Sequence, residues 1–234
     1  MKLDVYKINN AVEKIKTGKN TQFLDGRELK IVTGKLKKNE YNVYYPYKDS
    51  EKVMLYTGKV PKVKLFKIYT VENIRHQDIL GSLFALNIDS SYFGDIVLYN
   101  DYYYVFVSED LALYIKDNLK MIGNKKVSLE EVNLSVLDNY ERKYEEKEMI
   151  ISSLRVDNVV SGIINTSRKV ALDKIKNKEV IVNYGVMNKN SYILKESDIF
   201  SIRRYGKYKF VGIVKSTMKN LRKHKSLSSW NIMR

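Results

Sequence analysis

The sequence predicts an α+β chain built from three modules and a tail. Three observations carry that reading. Residues 62–139 alternate strand and helix patterns in the order β-α-β-β-α-β. Residues 153–210 open with two short amphipathic helices and continue into short strands. Residues 1–61 mix one helical pattern with brief strand patterns and turn dipeptides, the signature of a small α/β module. With 234 residues the chain suffices for two or three small domains. The expected boundaries are 1–61, 62–148, 149–212 and a basic tail at 213–234.

In the first module, residues 12–15 sit in a short helical pattern that Thr17-Gly18 ends. The run Phe23-Leu-Asp-Gly-Arg-Glu-Leu29 follows, with Asp25-Gly26 read as a turn into a second element. Residues 53–56 form a strand pattern. Tyr41, Tyr44, Tyr45 and Tyr47 form an aromatic run interrupted by Pro46. Such rings can stack on bases, but packing in a half-buried sheet is the preferred reading.

In the central module, residues 63–69 alternate as a strand. Residues 74–86 form a helix that turns Ile79, Leu80, Leu83 and Leu86 inward. Residues 95–99 and 102–107 are strands joined by Asn100-Asp101, a hairpin dipeptide. A second helix is expected over 111–122, ended by Gly123, and a last strand within 127–136. This order is ferredoxin-like and shared with RNA-recognition-motif (RRM-like) domains. Tyr102, Tyr103, Tyr104 and Phe106 invite a stacking interpretation, yet the basic and glycine positions of the usual aromatic RNA-binding signature are missing. Packing is again preferred. His76 and Asp78 open a helix with no nucleophile in view, so Asn73 or Asp78 is read as its cap. Residues 140–148 are a charged connector and the expected hinge.

Charge is distributed unevenly. The net charge is +15. Residues 151–234 hold 18 Lys and Arg against 5 Asp and Glu, a net of +13, while residues 1–150 carry only +2. A polyanion partner follows, nucleic acid being the commonest. No cysteine and two histidines exclude disulfides, thiolate chemistry and a His-rich metal cluster. No metal or cofactor is expected. No apolar run reaches a membrane span and the polar N-terminus has no signal-peptide core, so a cytoplasmic monomer is expected.

The third module holds the densest information. Val156, Val159, Val160, Ile163 and Ile164 form one helical stripe, with Arg155 and Asn158 off it and outward. Thr166 or Ser167 can cap the next helix, over 168–176. There Lys169, Asp173 and Lys176 share a face, and Val170, Ala171 and Ile175 turn inward. Val180/Val182 and Ile199/Ile202 alternate as strands. Arg168 has two readings: a clasp on Asp157, or a guanidinium beside a helix N-terminus that favours phosphate. Residues 215–234 form a basic tail with Leu221 and Trp230, read as a disordered arm or a docking helix.

This third module resembles the S-four RNA-binding domain, named after a small-subunit ribosomal protein. The matching positions are Arg155 and Asp157, Ser167-Arg168, Ala171, Ile175, Val180, Val182, Asn183 and Asp198. Lys178 stands where the family has the Gly that ends the second helix in a left-handed turn, so Asn177 is expected to take that conformation. Ser197 stands where the family favours Gly before the late Asp. More of the chain is similar to the YlmH family of bacterial RNA-binding proteins. Arg75-His-Gln-Asp-Ile-Leu-Gly-Ser-Leu-Phe-Ala-Leu-Asn-Ile88 with Gly94-Asp-Ile96 resembles its middle domain. Phe23-Leu-Asp-Gly-Arg-Glu28 resembles its N-terminal motif, and Ile202-Arg-Arg-Tyr-Gly-Lys-Tyr-Lys-Phe210 its closing strand.

The resemblance implies a non-enzymatic factor that binds ribosomal RNA and tRNA on the large subunit in ribosome-associated quality control. Other members are tied to cell division, so a division scaffold is the alternative. An RNA-modifying enzyme or accessory is disfavoured: Phe23, not Arg, precedes Leu24-Asp25, and no glycine-rich phosphate loop exists. The expected RNA face is Arg155, Ser167, Arg168, Lys169, Lys176, Lys178 and Asn183, flanked by Arg203, Arg204 and Lys207.

Overall fold

The structure is a computed structural model that describes residues 5–142, 145–183, 185–187, 189–216 and 222–228. It divides into two compact units, Met1–Glu141 and Arg142–Arg234. The sequence boundary near residue 61 thus falls inside the first unit. No helix among the described residues is long and apolar enough to cross a membrane.

The first unit begins with helix α1 (Val5–Lys16), which buries Ile8, Ala11 and Ile15 against Leu24, Val32 and Leu55. Helix α2 (Gly26–Thr33) starts in a capping box. The Asp25 carboxylate accepts from the N–H groups of Arg27 and Glu28 at 2.8 Å each, and Glu28 accepts from the Asp25 N–H at 2.9 Å. Asp25-Gly26, expected as a turn, is therefore a helix start. Strands β1 (Asn42–Tyr44) and β2 (Met54–Tyr56) form an antiparallel pair.

Next come β3 (Val63–Tyr69), α3 (His76–Ala85), β4 (Phe93–Tyr99), β5 (Tyr102–Ser108) and α4 (Glu109–Asn118). A small hairpin, β6 (Met121–Ile122) with β7 (Lys125–Lys126), precedes β8 (Ser128–Val132). The antiparallel sheet has the order β4-β5-β3-β8. The expected β-α-β-β-α-β succession is present, with one difference. The second helix stops at Asn118, whose side chain donates to the Tyr114 carbonyl at 2.8 Å. Leu119 and Ile122 are drawn into the core instead, and Gly123 (φ 60°) turns the hairpin. Asp78 caps α3 by accepting from the Arg75 N–H at 3.1 Å, and the Arg75 guanidinium pairs with its carboxylate; Asn73 is not the cap.

Side chains alternate across this sheet. Phe66, Ile68, Val105 and Val107 pack with Ile79 and Leu83 of α3 and Ala112 and Ile115 of α4. Leu65, Val97, Tyr104 and Phe106 pack in a second cluster with Phe23, Tyr47, Met54, Leu137 and Tyr140. Tyr47 stacks on Phe106 at 5.1 Å, and its hydroxyl donates to Asp95 at 2.8 Å. Packing thus claims Tyr47, Tyr103, Tyr104 and Phe106, while Tyr45 and Tyr102 stay exposed. Lys52 donates to the carbonyls of Ser90 and Phe93 at 2.7 and 2.8 Å; burial pushes its ammonium down to about 8 against the pull of Asp95.

The second unit contains β9 (Glu145–Ile151), α5 (Val156–Ile163), α6 (Arg168–Lys176), β10 (Val180–Val182), β11 (Gly185–Val186), β12 (Ile199–Ile202), β13 (Gly206–Ser216) and β14 (Arg222–Ser228). The six-stranded antiparallel sheet has the order β11-β10-β12-β13-β14-β9. Val156, Val159, Val160 and Ile163 of α5 and Ala171 and Ile175 of α6 pack with Val180, Val182, Phe200, Ile202, Tyr208 and Phe210. Val170, expected inward, is 41% exposed, because Ala171 and Ile175 set the buried line of α6.

The expected tail is the larger correction. Residues 222–228 are a strand inserted between β13 and β9, with Tyr208 opposite Ser228 and Lys225 opposite Glu148. An open β13 edge presents unpaired N–H and C=O groups, and this segment satisfies them. The acidic end of the connector likewise pairs, as β9. Leu221 and Trp230 lie outside the described residues.

Gly94 gives a test of the packing between the first unit's two parts. A Cβ there would meet the Phe106 Cβ and the Phe23 Cε1, each at 2.9 Å. Gly94→Ala is expected to destabilise the unit by about 1–3 kcal/mol, seen as a lower thermal midpoint by circular dichroism. An unchanged midpoint would mean that Phe23 is not seated on the sheet.

Candidate nucleic-acid interface

The site is built on one buried carboxylate. Asp157 lies in the first turn of α5 and is fully buried. Arg155, the residue before the helix, donates to it from Nε at 3.2 Å and from Nη2 at 3.0 Å. Arg168, at the start of α6, donates from Nε at 2.9 Å and from Nη2 at 2.8 Å. Burial would raise the Asp157 carboxyl, but the Arg155 and Arg168 hydrogen bonds outweigh it and hold the group below the ordinary carboxylate range. The clasp reading of Arg168 is therefore observed. It does not hide the guanidinium, since the Arg168 and Arg155 side chains remain 51% and 37% exposed.

Arg155, expected to face outward, is also held by this clasp. Asn158 also turns back, donating to Ser152 and Ser153 hydroxyls at 2.7 and 2.8 Å. Ser167 caps α6 by accepting from the Val170 N–H at 3.4 Å. Lys169 and Lys176 are exposed along α6, with no ion pair to a described residue.

The far end of α6 closes in a Schellman pattern. The Lys178 N–H bonds the Ile175 carbonyl at 3.0 Å, and the Glu179 N–H bonds the Lys174 carbonyl at 2.9 Å. Lys178, not Asn177, takes the left-handed conformation, at φ 60°. The pattern needs that conformation one residue beyond the cap, and Asn177 is the cap. Ser197 is also left-handed, at φ 71°.

The β12–β13 turn lies beside this helix end. The Arg203 N–H bonds the Glu179 carbonyl at 2.9 Å, and Lys174 sits 5.2 Å from the Tyr205 ring centre. The Lys174 ammonium, by its 2.8 Å hydrogen bond, holds the Glu179 carboxyl down against desolvation, with Arg203 and Arg204 adding to the pull. Arg204 is left-handed at φ 71°, and both arginines are exposed. Lys207 stands opposite Ser201 on the sheet, one residue before buried Tyr208.

Asn183 belongs elsewhere. Its Nδ2 donates to Asp198 at 2.8 Å and its Oδ1 accepts from the Ile199 N–H at 3.1 Å. Asp198 also accepts from the Tyr192 hydroxyl at 3.0 Å and the Lys195 N–H at 2.8 Å. Burial, then the Asp198 bond, pushes the Tyr192 hydroxyl up. The Tyr192 carbonyl accepts from the Val156 N–H at 2.8 Å, so this network anchors the start of α5.

The structure thus gathers Arg155, Ser167, Arg168 and Lys169 at one end of α6. Lys176, Lys178, Arg203 and Arg204 gather at the other. The ends of this nine-residue helix are about 13 Å apart, a span that several phosphates of one strand can bridge. Lys174 and Tyr205 join the second cluster and were missed. The only sequence signal was a Tyr next to two arginines. Among the described residues no group of His, Cys, Asp and Glu could hold a metal ion.

Comparison with known proteins places this chain among relatives. Residues 62–136 match the family described as "Putative RNA-binding domain in YlmH". The chain is 30% identical over 215 residues to the "Ribosome-associated protein quality control protein P2" of Bacillus subtilis (strain 168), covering 86% of this chain and 84% of that protein. The solved structure of "Cell division protein ylmH from Streptococcus pneumoniae" aligns with a TM-score of 0.48 at 19% identity, covering 59% of this chain and 98% of that one.

The two strained turns allow a check. A left-handed residue with a Cβ costs about 1–2 kcal/mol, of which glycine returns part to the unfolded chain. Lys178→Gly and Ser197→Gly are each expected to raise stability by about 0.5–1 kcal/mol in urea unfolding. A loss at either position would contradict the turn geometry.

Proposed function

This chain belongs to the YlmH family, and from that premise we propose that it is a non-catalytic RNA-binding protein of the ribosome. Its place is the large subunit, in ribosome-associated quality control, where it holds ribosomal RNA, tRNA or both as a cytoplasmic monomer. The name of the Bacillus subtilis relative supports the setting. The observation that carries the reading is the concentration of cations around α6, in a region of net charge +13.

Arg155, Arg168 and Lys169 meet the phosphate path at one end of the helix. Lys176, Lys178, Arg203, Arg204 and Lys207 meet it at the other. Ser167 and Asn183 shape the face: one caps α6 and the other fixes β10 to β12. Asp157 holds the Nε–Nη2 edge of each guanidinium while both side chains stay partly exposed, so little side-chain entropy is lost on binding. The duplex is read by shape and phosphate path, because the A-form major groove is too narrow for side chains.

With about 6 phosphate contacts, affinity is expected to fall with salt at a log–log slope of about −4 to −5. Lys169→Ala and Lys176→Ala are each expected to reduce that slope by about 1 without changing the thermal midpoint. In a lysate the protein is expected to sediment with large subunits at low salt and to leave them at high salt. Slopes unchanged in both variants, or sedimentation only at the top of the gradient at low salt, would overturn the reading.

A further inference from the structure

The domain matched as RNA-binding is not basic. Residues 62–136 contain 8 Lys and Arg against 10 Asp and Glu, a net of −2. Bulk attraction to phosphate therefore cannot bring RNA to it. An RNA contact there would draw mainly on bases rather than on a phosphate track.

Its sheet offers one place for that. One set of strand residues packs with α3 and α4. The alternate set is half covered: Tyr104 and Phe106 lie with Phe23, Tyr47, Leu137 and Tyr140. The cover stops short of the β3 end and the β5 start. There Tyr69 and Tyr102 meet edge to face at 5.3 Å, and Tyr102 is 37% exposed. The Lys67 ammonium lies 3.6 Å from the Tyr102 ring centre and 4.6 Å from that of Tyr69, with no ion pair to a described residue. Tyr69 donates its hydroxyl to Glu130 at 2.5 Å, which fixes the ring.

We propose that Lys67, Tyr69 and Tyr102 form a second RNA contact that stacks one or two unpaired nucleotides of a single-stranded segment. The rings supply the stacking surface and the Lys67 ammonium supplies the charge for one phosphate. Glu130 beside the rings and Asp101 in the preceding turn repel a continuous phosphate track. The contact is thus limited to a few bases, and duplex RNA, whose bases are already stacked, does not use it. This inference rests on the RNA-binding reading above but employs a different surface and a different chemistry.

The test uses the full chain with a short single-stranded RNA carrying 4-thiouridine, crosslinked by light, digested and mapped by mass spectrometry. Crosslinks to peptides containing Tyr69 or Tyr102 are expected. Tyr102→Leu, which keeps the apolar bulk, is expected to weaken binding of the same oligonucleotide about tenfold while leaving the salt slope unchanged; Tyr102→Trp is expected to restore it. Crosslinks confined to residues 149–212, with Tyr102→Leu binding as well as the parent chain, would overturn this contact and leave the basic face standing. No crosslink and no binding anywhere would overturn both.

Discussion

The second unit depends on a carboxylate that no water reaches. Asp157 is buried at the start of α5, and two arginines from different segments close over it. An unpaired charge in that position is expensive, so neither arginine can leave without penalty. The clasp therefore joins the start of α5 to the start of α6. It also decides where two exposed guanidinium groups stand. Stability and surface charge are fixed by the same hydrogen bonds. A buried ion pair often adds little net stability compared with an apolar replacement; its value here is positional.

The other basic residues obey a different constraint, the geometry of turns. The Schellman closure of α6 turns Lys178 out, and the β12–β13 turn presents Arg203 and Arg204 beside it. Backbone conformations that ordinarily favour glycine are held at these positions by lysine, serine and arginine. In the first unit the governing constraint is cover. Phe23 and Tyr47 are packed on aromatic residues that a naked sheet of this type would expose. What remains open is a small Tyr–Lys–Tyr patch. The excess positive charge thus lies in the second unit, while the first unit is nearly neutral and leaves one small aromatic patch open.

Much of this was legible from periodicity. The 3.6-residue stripe of Val156, Val159, Val160 and Ile163 and the alternation of residues 63–69 correctly placed α5 and β3, because burial on one face is what those patterns record. Arg155, read as off the stripe and outward, stays partly exposed; it precedes the helix with φ −59° and ψ 137°, which lets it also reach Asp157. Val170 misled because on a short helix two inward positions, Ala171 and Ile175, fill the available space. The strand at residues 222–228 was illegible because its sequence is basic and Ser-rich, with little apolar alternation; pairing with β13 and β9 forms it. Lys178 and Ser197 were read as departures from a glycine pattern, yet the backbone keeps the conformation and bears the strain.

The most direct measurement is RNA affinity of Asp157→Asn, taken with urea unfolding of the same variant. The substitution keeps the shape of the side chain, removes the charge that holds both arginines, and makes the chain more positive by one. A protein held to RNA by net charge alone would bind as tightly or more tightly. A face positioned by the clasp is expected to lose about 1–3 kcal/mol of stability and to bind RNA more weakly under conditions where the variant is still folded. Undiminished affinity with undiminished stability would contradict the central role given to Asp157.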